Sequence, residues 1–175
     1  MKNFLKVLTL LALILGAPAA ARADVEDGTV ISDRVVAPLM AWVEREVGVK
    51  VPGLPQVVAS RAAFRSVLGR MNGGFAGRPR SLYMGGRVIL DSELWDEEDD
   101  MELSLLVHEL VHYAQSYMHV AWNCPNQREV MAYSLQNKWL EEHDHRPFVR
   151  ASWIARVSSC GDSSTRMALA QSPDD

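Results

Sequence analysis

The sequence predicts a mainly helical α+β domain, and three observations carry that reading. Apolar residues recur at helical spacing in three segments, and Pro125 and Pro147 are placed to open two further helices. Two short strand-like runs flank Gly85-Gly86. No internal repeat and no linker divides the chain.

The first residues are expected to lie outside the domain. Lys2 and Lys6 give a positive start, residues 5–15 are an apolar run, and Ala21-Arg22-Ala23 is a small-x-small cleavage site. These are the three parts of a secretory signal peptide, with Ala19-Ala20-Ala21 as a second cut. The apolar run is short for a membrane span; an uncleaved anchor is the alternative. The expected organisation is a signal over residues 1–23, one domain over 24–162, and a polar, small, acidic, disordered tail over 163–175. Such a signal places the mature chain in a bacterial periplasm or outside the cell, with no membrane insertion after cleavage.

The formal net charge is −4, and the signal holds three bases and no acid, so the mature chain is more acidic still. That argues against nucleic acid or anionic lipid as a main partner. The two cysteines, Cys124 and Cys160, are expected to pair in an oxidising compartment, two free thiols or thiolate ligands being the alternative.

Taken in order, Ser32 or Asp33 opens a helix whose apolar face is Val36, Leu39, Met40, Val43 and Val47, and Gly48 ends it. Residues 24–31 read as loose. Pro52, Gly53 and Pro55 forbid a long helix there, and residues 56–59 suit a short strand. Ser60 caps a second helix, with Ala63, Phe64, Val67, Leu68 and Met71 on one side and Asn72-Gly73-Gly74 as its stop. A loop over 74–79 leads to residues 81–84 and 87–90, a hairpin with a primed turn at Gly85-Gly86. An acidic stretch carrying Trp95 precedes the central helix, predicted over 101–118, and Asp99 with Glu102 has the spacing of a capping box. Pro125 starts a helix over about 126–142. His143-Asp144-His145 connects it to a last helix from Pro147 to about Val157.

The central helix carries His108-Glu109-Leu110-Val111-His112. Positions four apart share a helix face, so the two imidazoles can bind one metal ion, and the intervening glutamate can act on a water beside it. Zinc in an open site takes three protein ligands. Glu129 is the best third, in the first turn of the next helix and 17 positions after His112, with small Ala132 allowing close approach of the two helices. His119 shares the face, but seven residues along a helix rise about 10 Å, too far for the same ion.

This arrangement resembles the gluzincin-type zinc metallopeptidases, in which an H-E-x-x-H helix is followed by a glutamate ligand on a second helix. The matching positions are His108, Glu109, His112 and Glu129. The stretch from Glu129 to Gln136 is also similar to small single-domain bacterial zincin-like proteins and families of unknown function. The resemblance covers about Tyr83 to Leu140. It implies a small zincin-like domain, a bound Zn2+, Glu109 as general base, a peptide or protein substrate, and a substrate edge strand at Val88 and Ile89. Tyr133 departs from the E-x-x-x-D form of thermolysin-like members. Gln115 and Met118 stand where a metzincin needs glycine and histidine, which excludes that pattern.

Peptide hydrolysis also needs a donor for the developing oxyanion. Tyr133 and His145 are the favoured candidates, with His143, Tyr113 and Arg146 behind them. Gln136, Asn137 and Ser134 are available to hold the ligating imidazoles. Trp122, Trp139, Trp153, Phe148 and Tyr117 read as core. A catalytically inactive zinc-binding or peptide-binding module on the same fold is the alternative to an enzyme.

Overall fold

The computed structural model describes residues 25–70 and 79–161. The expected signal peptide, the glycine stop and most of the loop after the second helix, and the expected disordered tail lie outside the described residues. The domain is α+β and mainly helical, as the apolar periodicity predicts. In chain order its elements are β1 (Thr29–Val30), α1 (Asp33–Val47), β2 (Gln56–Ala59), α2 (Arg61–Arg70), β3 (Ser81–Met84), β4 (Arg87–Leu90), α3 (Asp100–Gln115), α4 (Arg128–Glu142) and α5 (Ala151–Val157). A 3-10 turn, Pro125–Gln127, leads into α4.

The four strands form one sheet in the order β1-β2-β4-β3. β3 and β4 are the predicted hairpin. Gly85 and Gly86 both have positive φ, 58° and 82°, the requirement of a two-residue primed turn. β2 lies parallel to β4, and β1 antiparallel to β2. Residues 29–30 are therefore a strand and not loose chain. Two residues carry no readable alternation, and their pairing with β2 is made across the whole of α1.

Side chains alternate across this sheet. Leu82 and Ile89 point to one face and pack with Phe64 and Val67 of α2. Val57, Ala59, Val88 and Leu90 point to the other and share the main core with Val36, Met40 and Val43 of α1 and Leu106, Val107, Leu110 and Val111 of α3. Ser81 and Tyr83, paired with Leu90 and Val88, lie on this second face. α3 is thus pressed between the sheet, α1 and α4.

The central helix is shorter than predicted. It ends at Gln115, because Ser116, Tyr117 and Met118 donate their N–H groups to carbonyls three residues back, and Ser116 Oγ caps the Tyr113 carbonyl. Its N-terminus is capped by Asp99, whose side chain accepts from the Met101 N–H at 2.8 Å. The reciprocal half of the capping box is absent: Glu102 is buried and ion-paired with Arg80 just before β3. The last helix begins at Ala151 and not Pro147, because Asn137 pins the extended chain by bonding Val149 through both its backbone N–H and its carbonyl.

Cys124 and Cys160 form a disulfide, with Cα atoms 5.7 Å apart. The bridge ties the chain just before α4 to the chain just after α5, and Asn126 Nδ2 adds a hydrogen bond to the Ser159 carbonyl.

Candidate metal centre

α3 and α4 run antiparallel, as their contacts show. Arg128 at the start of α4 meets Gln115 at the end of α3, and Gln136, two turns later, meets Ser104 and His108. Glu129 is thereby carried onto the face that presents His108 and His112. One carboxylate oxygen lies 3.3 Å from His108 Nε2 and the other 3.3 Å from His112 Nε2. The two Nε2 atoms are 3.2 Å apart. Two nitrogens bound at about 2.0–2.1 Å in a tetrahedron stand about 3.3 Å apart, so the spacing suits one small divalent ion. These three are the candidate metal site of the described residues.

The opposite edge of each imidazole decides which nitrogen is free. Ser104 Oγ donates to the Met101 carbonyl, so its lone pair accepts from Gln136 Nε2 at 3.1 Å. The Gln136 oxygen must then face His108 Nδ1, 3.2 Å away, and accept its proton. His112 Nδ1 meets the Gln115 oxygen at 3.0 Å. Both rings are held with Nδ1 as a donor, so Nε2, facing Glu129, is the nitrogen that gives up its proton to ligate a metal. Gln136 is thus an imidazole partner, as the sequence suggests, whereas Asn137 is engaged by Val149. Gln115 is a partner that the sequence reading passes over; its i+3 spacing from His112 is the signal that marks it.

Burial alone would push the Glu129 carboxyl up, but its hydrogen bonds and charge contacts with His108 and His112 outweigh burial and hold it well below the usual carboxylate range. Burial alone would push His112 down, but the Glu129 contact and the charges of Glu109 and Glu129 hold it above its ordinary 6.5. A metal ion entering at His112 must displace that proton. Metal affinity is therefore expected to fall as pH drops through this raised value and to level off above it. In the metal-free chain the sign is reversed: protonated His112 adds stability that is full below about 6.5 and is lost as pH rises through the folded value. Metal titrations from about pH 5 to about pH 9 check the first sign, and an affinity flat across that range would count against it.

Glu109 is buried at 6% exposure, and its Oε1 accepts from Ser81 Oγ of β3 at 2.7 Å. Ser81 has no sequence signal, since only the sheet register turns it toward α3. Tyr133, one turn after Glu129, sets its ring 4.3 Å from that of His108 and also contacts the rings of Trp153 and Phe148. Burial and the charges of Glu129 and Glu109 raise its phenol above the ordinary value, so it stays a protonated donor. Phe148 is 38% exposed and is not the core residue expected.

Two expectations are corrected by the geometry. His145 bonds Asp100 at 2.9 Å in the first turn of α3. Asp100 precedes His108 by eight residues, about 12 Å along the axis, so His145 cannot serve the metal site. The cause is the antiparallel return of α4, which carries its far end back to the start of α3. Val88 and Ile89 are not an edge strand either. Each is paired on one side with β2 and on the other with β3, which leaves no backbone edge to offer. The edge strands are β1 and β3, and β3, which packs beside α3, has no strand partner on its other side among the described residues.

The family model for Domain of unknown function (DUF6647) matches residues 29–165. The chain belongs to this family. The DUF6647 match begins at β1 and runs past Cys160, so it takes in every strand and helix above and all three candidate ligands. No curated protein and no solved structure matches the chain. A cavity of about 510 Å3 lined by Val25, Asp27, Arg61, Arg65 and Glu93, among others, shares no residue with the trio, and its Arg61 is paired with Asp91 and Glu93.

Proposed function

We propose that this member of DUF6647 is a zinc-dependent peptidase of gluzincin type that acts after export. The observation that carries the reading is the convergence of His108, His112 and Glu129, with both imidazoles held Nδ1-protonated and Glu109 beside them. Two imidazoles and one carboxylate are a donor set that zinc favours. Zinc bound there supplies a Lewis acid that polarises a carbonyl and lowers the pKa of water to about 7.

The protein's own groups do the rest. Glu109 takes the proton of the attacking water and passes it to the leaving amine. Ser81 holds that carboxylate in place from β3. Tyr133 is the oxyanion donor, since its hydroxyl is protonated and its ring lies against His108. The free edge of β3 pairs with an extended substrate backbone. Ser81→Ala is expected to lower turnover about tenfold while leaving metal affinity unchanged. An unaltered rate would separate Ser81 from the action of Glu109.

The direct test is a peptide library incubated with the metal-loaded mature chain. Cleavage that a chelator abolishes and zinc restores is the expected result. Zinc uptake with no cleavage of any peptide would favour a binding module on the same fold. No uptake of zinc, cobalt or manganese would overturn the metal assignment.

A further inference from the structure

The N-terminus of α4 grips the C-terminus of α3 through a side chain that the proposed chemistry does not use. Arg128 stands immediately before Glu129. Its Nε donates to Gln115 Oε1 at 3.0 Å and its Nη2 to the His112 carbonyl at 2.8 Å. Gln115 Nε2 donates back to the Arg128 carbonyl at 2.9 Å.

Each bond answers a local need. The carbonyls of the last helical turn lack regular partners. Ser116, which would close the regular bond to the His112 carbonyl, donates its N–H to Tyr113 instead. A guanidinium suits that position, because it caps the carbonyl and places positive charge at the negative end of α3. Arginine has donors only, so the Gln115 oxygen must face it, and the amide nitrogen then faces the Arg128 carbonyl. The same oxygen accepts from His112 Nδ1 at 3.0 Å. Gln115 is 3% exposed, so water does not offer it an alternative partner.

We propose that Arg128 is a positioning residue for the metal centre. Through Gln115 it fixes the tautomer and tilt of His112, and through the His112 carbonyl it locks the helix of the third ligand to the helix of the first two. The proposal rests on the metal-site reading above. It makes Arg128 and Gln115 one coupled unit, which independent packing contacts would not be. A lysine would keep the charge but not the planar fork that reaches two acceptors at once.

The test compares the full mature chain with Arg128→Ala, Arg128→Lys, Gln115→Met and the Arg128→Ala/Gln115→Met double variant. Zinc affinity is read by chelator competition. The imidazole nitrogen signals of the metal-free chain are read by NMR under alkaline conditions. Arg128→Ala and Gln115→Met are each expected to weaken zinc binding roughly 10–100-fold, and the double variant no further than the weaker single one. His112 is expected to lose its Nδ1-protonated signature in both, and Arg128→Lys to remain weakened. Zinc affinities within about twofold of the parent, with unchanged imidazole signals, would overturn the proposal. Full rescue by lysine would also overturn it, by assigning the effect to charge alone. If Arg128→Ala does not fold, Gln115→Met, which leaves the guanidinium to cap the His112 carbonyl, carries the test. A parent chain that takes up no metal overturns the metal reading, and the imidazole signals then decide the clamp by themselves.

Discussion

Replacing Glu109 with Gln is expected to leave zinc bound and to lower peptide hydrolysis by roughly 10²–10⁴-fold. The substitution keeps the size of the side chain and its contact with Ser81, but removes the carboxylate that accepts a proton. Metal content should not change, because Glu109 is outside the His108, His112 and Glu129 trio. Measuring zinc stoichiometry and kcat on the same preparation separates the two effects. Loss of both together would make Glu109 structural. Unchanged turnover would remove it as the base, and with it the mechanism proposed for this chain. The position also explains a conflict in the fold. A buried acid on an otherwise apolar helix is costly without a partner, and a serine on β3 meets only part of that need.

Removing the disulfide is expected to have the largest effect on stability. Replacing both Cys124 and Cys160 with Ser opens a loop of 36 residues, which the chain-entropy model values at about 3–4 kcal/mol. Denaturant unfolding of the metal-free variant measures this loss, and a change under about 1 kcal/mol would contradict it. A second effect follows from where the bridge sits. Cys124 is followed by the 3-10 turn over 125–127, then Arg128, then Glu129, so the bridge limits motion at the start of the helix that carries the third candidate ligand. Zinc affinity should weaken in the same variant, even under conditions where it stays folded. Affinity equal to the parent's would show that α3 and α4 hold Glu129 without help from α5.

Much of this was legible before any coordinates. Apolar spacing of three and four residues marked the first three helices, prolines pointed to the last two, and the double glycine marked the hairpin, because these signals are local. The metal trio was legible for the same reason. His108 and His112 are related by helix geometry alone, and Glu129 follows after a chain reversal too short to take it elsewhere. The Cys124–Cys160 pair was the only one available.

What stayed hidden depends on which elements meet. β1 was missed because a two-residue strand has no period, and β4 was taken for an edge because its parallel partner β2 lies beyond a helix and a loop in the chain. That single non-local pairing leaves β3 as the edge beside α3, and the β3–β4 register turns Ser81 toward Glu109. His145 read as a neighbour of the site, but antiparallel packing of α4 carried it to Asp100. Arg128 has no signal along the chain for its contact with Gln115, which exists only because the ends of α3 and α4 meet. The sequence by itself determined the candidate ligands, the helices that bear them and the bridge, since each follows from spacing along the chain. The tertiary structure alone decided which groups hold those ligands, because a hydrogen-bond partner is chosen by proximity in space and by the pairing that every buried polar atom requires.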